Sequence, residues 1–433
     1  MNIYIETLGC PKNFNDSEVC AGILKAAGNK VCDNIDHANV IIINTCGFIN
    51  DAKKESIAKI FELAEYEDKI LVVSGCLSKR YATELFEEMP EVDVFIGVNE
   101  YDELPNILDN FDGTRILSVK EFQIELESSQ RAVLENNYTR TIKISEGCDN
   151  KCAYCIIPSI RGPYRSRPIE NIIKEASKMA EEGTKELILI AQDVTTYGID
   201  IYNEYALPRL LKELCKIEDL SWIRLMYCYE DRITDELIEV MATEPKICNY
   251  IDIPIQHSSD YVLKEMKRRS TRKSINNTID RLRKAIPDIH IRTTLIVGFP
   301  GEREEDFDDL YDFVEKTKFE RLGVFAYSKE EGTVAGDRED QIDDKIKEER
   351  KDAIMRKQID ISLAANKKMI GEIVAVLVEN KEDDQTYIGR TMYDAPEIDN
   401  SVVFTSSKDL AAGQFVNVKI TDAFDYDLVG VEE

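Results

Sequence analysis

Three cysteines of this chain stand close enough in sequence to share one cofactor. Cys148, Cys152 and Cys155 fall in Ser145-Glu146-Gly147-Cys148-Asp149-Asn150-Lys151-Cys152-Ala153-Tyr154-Cys155, a C-x3-C-x2-C spacing. Three thiolates on one tight loop can hold three irons of a [4Fe–4S] cluster and leave the fourth iron without a protein ligand. An iron left open can bind a small chelator through an amino and a carboxylate group. The competing reading is a zinc site of three cysteines that lacks its fourth ligand. Cys10, Cys46 and Cys76 are dispersed, yet each follows a run that reads as a strand and each has a glycine beside it: Leu8-Gly9-Cys10, Cys46-Gly47 and Gly75-Cys76. If those strands share one parallel sheet, the sulfurs converge at the sheet edge where such folds bind ligands. A glycine there lets backbone approach a bound group closely. A second metal site and three ordinary packing cysteines both stay open. Cys20, Cys32, Cys215, Cys228 and Cys248 lie in or beside helices and strands and are read as packing.

The elements that must position these thiols can be read from periodicity. In the first hundred or so residues, strands at 3–7, 40–44 and 69–73 alternate with helices at 17–27 and 52–65. That alternation predicts a parallel, helix-covered sheet. Polar residues dominate 117–137, which reads as a linker. Six further strands (141–145, 186–191, 222–227, 250–255, 289–297 and 321–327) are separated by helices such as 169–182, 234–243 and 304–316. This fits a (β/α) barrel or its open variant, with function at the strand C-terminal ends. A charged helix over 340–369 leads to short strands at 373–378, 387–391, 401–404 and 415–420, which predict a small all-β barrel. The fold class is therefore α/β in the first two units and all-β in the last.

Composition narrows the function. The 433 residues carry 55 Lys plus Arg against 83 Asp plus Glu, a net charge of −28. Such a surface repels a phosphate backbone, so no large nucleic-acid interface is expected and a basic protein partner is. No run approaches the roughly 18 apolar residues of a membrane span, and the start, Met1-Asn2-Ile3-Tyr4-Ile5-Glu6, reads as a strand rather than a leader. A cytoplasmic location is expected, where thiols stay reduced and disulfides do not explain eleven cysteines.

With an aromatic residue before its last cysteine, the C-x3-C-x2-C motif resembles the radical-SAM signature. Together with the three N-terminal cysteines and the terminal barrel, the whole chain resembles the radical-SAM methylthiotransferases. The resemblance implies an N-terminal methylthiotransferase domain (residues 1–115), a linker (116–138), a radical-SAM domain (139–365) and an OB-like TRAM domain (368–433). It also implies two [4Fe–4S] clusters, one on Cys10, Cys46 and Cys76 and one on Cys148, Cys152 and Cys155, with S-adenosylmethionine (SAM) on the latter. A flavodoxin- or ferredoxin-like donor would supply the electron for reductive SAM cleavage. One branch of the family acts on isopentenyl-adenosine of tRNA. The other acts on the β-carbon of an aspartate in small-subunit ribosomal protein S twelve. Leu8-Gly9-Cys10-Pro11-Lys12-Asn13, Cys46-Gly47-Phe48-Ile49, Cys155-Ile156-Ile157-Pro158-Ser159-Ile160-Arg161-Gly162 and Asp394-Ala395-Pro396-Glu397-Ile398-Asp399 resemble the second branch. Charge agrees independently: residues 371–433 hold 4 Lys plus Arg against 14 Asp plus Glu, whereas a barrel that grips tRNA should be basic. Outside the family, the competing class is an iron–sulfur electron carrier or scaffold.

The resemblance also suggests supporting residues. Tyr154 would pack on adenine. Gln192 and Asp193 end the second barrel strand, where relatives hold the SAM amino group. Gly298 and Glu302 lie in Ile296-Val297-Gly298-Phe299-Pro300-Gly301-Glu302, similar to the strand that flanks adenine, although Thr294 stands in place of its first glycine. Gln256 and His257 end the fourth strand, Gln256 as a cofactor contact and His257 either orienting substrate or simply capping its loop. Residues 139–170 hold 6 basic against 3 acidic residues, so Arg161, Arg165 or Arg167 could pair with a substrate carboxylate.

Overall fold

The computed structural model describes residues 1–98, 100–120 and 131–433. Its first sheet is built by β1 (Asn2–Thr7), β2 (Lys30–Val31), β3 (Val40–Thr45), β4 (Ile70–Gly75), β5 (Val94–Ile96) and β6 (Ile116–Ser118), all parallel, in the order β2-β1-β3-β4-β5-β6. The apolar run of β3 is explained by its two faces. Val40 and Ile42 pack with Ile3, Val72 and Val94 on one side; Ile41 and Ile43 pack with Leu71, Val73 and Phe95 on the other. Each such side chain stabilises the sheet by roughly 1.5–3 kcal/mol, so the register cannot slip by one residue without reversing both layers. Part of the stretch expected as linker is strand: Ile116–Ser118 completes this sheet. Residues 121–130 of that expected linker lie outside the described residues.

The second unit begins with β7 (Thr139–Lys143), followed by a short antiparallel ribbon of β8 (Ser145–Glu146) and β9 (Arg165–Ser166). Then come β10 (Glu186–Ile190), β11 (Trp222–Leu225), β12 (Ile247–Asp252), β13 (His290–Val297) and β14 (Arg321–Ala326). The six long strands are parallel in chain order, β14-β13-β12-β11-β10-β7, and the ends do not meet, so this is the open variant of the barrel. Its main apolar layer lies between strands and covering helices, as in Ile142, Leu187, Leu189, Ile223, Ile251 and Leu295 against Ile172, Leu210, Leu237 and Leu310.

The 24-residue helix Asp344–Lys367 leads to β15 (Ile373–Lys381), β16 (Thr386–Thr391), β17 (Ser401–Thr405), β18 (Phe415–Ala423) and β19 (Asp427–Glu432). These close as β15-β16-β17-β19-β18. The closing strand, β19, was not expected from sequence; it lies beside β17 in parallel and β18 in antiparallel pairing. No helix among the described residues is long and apolar enough to cross a membrane.

Candidate active site

The loop that carries Cys148, Cys152 and Cys155 leaves β8 at the mouth of the open barrel. Gly147 has φ +79°, and a Cβ there would lie 2.0 Å from the carbonyl oxygen of Pro163, so only glycine lets the loop pass over β9. The backbone then anchors at both ends: Cys148 N donates to Gly162 O (3.1 Å), and Ala153 N donates to Met266 O (2.9 Å). Between the cysteines, Asn150 Nδ2 donates to Asp193 Oδ2 (2.7 Å), and Asn150 Oδ1 accepts from Arg232 (2.9 Å) and Arg269 (3.1 Å). The Cys152 sulfur lies 3.7 Å from the Tyr229 hydroxyl, and the Tyr154 hydroxyl accepts from Arg268 (3.3 Å). Burial pushes the Cys148 thiol up to about 11 and the Cys155 thiol up as well. Neutral, buried thiols of this kind are poor partners for one another and need a bound cation to ionise.

Cys10, Cys46 and Cys76 follow β1, β3 and β4, three adjacent parallel strands, and so lie side by side at one sheet edge. The neighbouring glycines are explained by crowding there. A Cβ on Gly9 would lie 2.9 Å from the Cys46 Cβ, and one on Gly47 would lie 2.8 Å from the Leu77 backbone. Burial pushes the Cys46 thiol up to about 12, and the charges of Cys76 and Cys10 push the same way. At Cys10 burial also acts to raise the thiol, but Lys12 and Arg161 outweigh it and hold it below its ordinary value.

The two cysteine groups meet through a buried ionic network. Arg161, only 1% exposed, donates to Cys76 Sγ (3.4 Å) and Asn13 Oδ1 (2.9 Å) from one nitrogen; the other reaches Asp16 (3.0 Å) and Glu146 (3.1 Å). Lys143 pairs with both Asp16 and Glu146. Asp16 comes from the first unit, and Arg161, Lys143 and Glu146 from the second. Each cation is answered by carboxylates, which is the condition for burying it. Among the described residues, no three His, Cys, Asp or Glu side chains close around a single-ion position. Soft thiolates in threes suit a four-iron cluster with one open iron, whereas structural zinc takes four ligands.

The remaining residues singled out from sequence fall into two sets. Gln192 suits a cofactor contact: its Nε2 donates to Glu146 Oε1 (2.6 Å), two residues before Cys148, while its Oε1 is buried without a partner. Such an orphan acceptor fits an ammonium group. Tyr154 packs against the group of Val262, Met266, Phe299 and Tyr327 beside the cysteine loop. Gln256 ends its strand with φ +70°, its N–H bonded to Thr294 O (2.9 Å). Asp193 instead braces the loop, accepting from Asn150, Thr195 and Arg232. Gly298 is needed for packing, since a Cβ would lie 2.2 Å from Lys347. Glu302 accepts from Phe299 N (3.1 Å) and Arg350 (2.9 Å); burial pushes it up to about 7.

The residues expected as substrate contacts are each engaged with the protein itself. His257 is buried, its Nδ1 accepts from Ser259 N (2.9 Å), and burial pulls it down to about 3, so it caps its own loop as a neutral ring. Arg161 is committed to the network, Arg167 to Glu175 and Lys143 O (2.7 Å), and Arg165 to the carbonyls of Pro163 (3.0 Å) and Arg161 (3.2 Å). Charge along a sequence does not tell which carboxylates will surround it. The sequence reading missed Asp16, Glu146, Tyr229 and Arg268 as parts of the site. Only Glu146 carried a signal, its place two residues before Cys148.

Comparison with known proteins agrees with this geometry. Residues 142–314 match the radical SAM superfamily, 2–97 the uncharacterized protein family UPF0004, and 370–431 the TRAM domain. The chain is 49% identical to the ribosomal protein uS12 methylthiotransferase RimO of Acetivibrio thermocellus, over 98% of this chain and 97% of that protein. It is 49% identical to the protein of the same name in Desulforamulus reducens, over 99% of each, and 47% identical to that of Clostridioides difficile, over 99% and 98%. Among solved structures it resembles the radical S-adenosylmethionine methyltransferase TsrM of Kitasatospora setae, with TM-score 0.58 and 14% identity over 77% of each chain. It also resembles the cobalamin-dependent S-adenosylmethionine radical enzyme OxsB, with TM-score 0.51 and 13% identity over 82% of this chain and 56% of that one; both likenesses concern the fold alone. On relatives this similar along its whole length, the chain belongs to the radical-SAM methylthiotransferases, within the family of the ribosomal protein uS12 methylthiotransferases.

Proposed function

We propose that this enzyme transfers a methylthio group to the β-carbon of an aspartate in ribosomal protein S twelve. The observation that carries the reading is the meeting of two cysteine groups across buried Arg161, in a chain 49% identical to proteins named for that reaction. Cys148, Cys152 and Cys155 would hold one [4Fe–4S] cluster with SAM on its open iron; Cys10, Cys46 and Cys76 would hold a second, next to the sulfur to be delivered. Bound there, cluster and SAM supply hydrogen abstraction from an unactivated C–H bond, which side-chain acids and bases cannot do. The chain's own residues fix positions. Gln192 Oε1 would accept from the SAM ammonium, Asp193 and Asn150 hold the cluster loop in shape, and Arg161 with Asp16 and Glu146 sets the separation of the two thiol groups. Small misplacements are costly where two reactants must meet.

The substrate reading also draws on charge. The terminal barrel's 4 basic against 14 acidic residues suit a basic ribosomal protein and disfavour the tRNA alternative. The electron would come from a flavodoxin- or ferredoxin-like donor, and the work would be done in the cytoplasm. Mass spectrometry of ribosomal proteins from a strain lacking this gene tests the function: ribosomal protein S twelve should lose about 46 Da, the methylthio-for-hydrogen difference. An unchanged mass with altered tRNA would overturn it.

A further inference from the structure

Lys12 is a buried amine beside the Cys10 thiol, with Glu146 and Asp252 as its more distant opposite charges, and the network gives it no direct partner. It is 8% exposed, and its Nζ stands 3.3 Å from the centre of the Tyr227 ring. Among the described residues no carboxylate pairs with it and no hydrogen-bond acceptor takes its protons. Its neighbours are treated differently: Lys143 and Arg161 share Asp16 and Glu146, Arg268 has Glu230, and Arg292 has Asp252. An aromatic face gives a buried ammonium partial compensation, but none of its three donors is used.

Its position says what could take those donors. Lys12 lies two residues after Cys10, in the first turn of the helix Pro11–Ala26, on the thiol edge of the first sheet. Tyr227 follows β11 at the mouth of the open barrel, on backbone with φ +62°, and its N–H donates to Asp252 Oδ2 (3.0 Å). A non-glycine residue held in that region is strained, and such strain gathers at binding sites. The amine therefore stands where the thiol edge of the first sheet meets the barrel mouth at Tyr227, a place the reacting carbon has to pass. Under the aspartate reading proposed above, on which this inference rests, that carbon is one bond from a carboxylate. We infer that Lys12 binds the side-chain carboxylate of the substrate aspartate, with the Tyr227 ring holding the ammonium in place, and so aims the β-carbon at the cleft.

The rival role for Lys12 is counter-charge to Cys10 alone, and binding by the reconstituted holoenzyme separates the two. The probes are purified ribosomal protein S twelve and its variant with Asn in place of the modified aspartate. The wild-type enzyme should bind the Asp form tighter by about tenfold or more, the usual strength of a charge-assisted pair. Lys12→Met should bring the two affinities to within about twofold, a bare difference in shape. Lys12→Arg, which keeps the charge, should retain the preference. A purely structural or counter-charge role would weaken both forms alike and lower iron content. A preference that survives in Lys12→Met, or none in the wild type, overturns the inference while the methylthiolation assay still stands. If Lys12→Met fails to load iron, Lys12→Gln is read by the same two outcomes. A wild-type enzyme that methylthiolates neither intact ribosomes nor the purified protein overturns the aspartate reading itself.

Discussion

The six thiols near the cleft differ in what surrounds them, and that difference is testable by substitution. Cys148, Cys152 and Cys155 sit on one loop held by Gly162, Met266 and Asp193. Under the proposed assignment, loss of any one thiolate would leave the cluster with two protein ligands. Replacing any of them by Ala should abolish reductive SAM cleavage; undiminished 5′-deoxyadenosine would contradict the assignment. The triple change at Cys10, Cys46 and Cys76 should lower iron content by about one four-iron cluster, leave SAM cleavage measurable and remove methylthiolated product. Iron at the wild-type level would show that the strand-end thiols hold nothing. The placement of these cysteines at strand ends and on one loop was legible because spacing and strand position are sequence properties. Arg161 was not. Its partners, Asp16 and Cys76, lie far away in the chain, and a buried guanidinium and a solvated one look the same in a sequence.

At the scale of elements, loop geometry decides whether those thiols are presented at all. Gly147 packs against Pro163 at φ +79°, where a Cβ would lie 2.0 Å from a carbonyl oxygen that belongs to backbone and cannot turn aside. Gly147→Ala should therefore shift the Cys148 end of the loop, costing on the order of 1–3 kcal/mol locally and lowering cluster incorporation. Absorbance and iron content of the reconstituted variant check this, with Gly28→Ala as a control of similar φ (+88°) and open surroundings. The long apolar strands were readable because their burial on both faces leaves a continuous run. By contrast β5 and β6 have three residues each, too few for any periodicity to register. The helix that opens at Pro11 starts six residues before its expected beginning. Its first turns carry Lys12, Asn13, Asn15 and Asp16, all buried. Polar residues there signal a site, and by pattern alone they resemble a loop.

For the whole molecule, the question is what the terminal barrel is for, and its seat answers part of it. Glu186, fully buried on β10, pairs with Arg224 of β11 and Arg390 of β16, and Asp399 accepts from Tyr250 (2.7 Å) and pairs with Arg292. The one tryptophan, Trp222, meets Phe415 edge-on at 4.7 Å. Burial acts to raise the Glu186 carboxyl, but Arg390 and Arg224 outweigh it and hold it at about 2. A carboxylate depressed in the folded state contributes stability above its unfolded value, roughly 4.3, and loses it as pH falls toward 2. Glu186→Gln should cost about 3–5 kcal/mol at pH 7, since it leaves buried Arg224 without a carboxylate and Arg390 with Glu379 alone. The deficit relative to wild type, read by thermal unfolding, should shrink between pH 4 and pH 2. Asp399 is thus a structural charge, whereas Glu382, Asp384, Glu397 and Asp422 are exposed. Exposed carboxylates steer a basic partner by long-range attraction that salt screens. Neutralising Asp384, Glu397 and Asp422 together should slow association with ribosomal protein S twelve and flatten its salt dependence. Uncoupled SAM cleavage should persist, because these residues touch neither cysteine group. Should the variant associate as fast as wild type at low salt, the charges serve solubility alone. An anticodon stem-loop that binds tighter than the ribosomal protein in the same salt would instead move the substrate to tRNA.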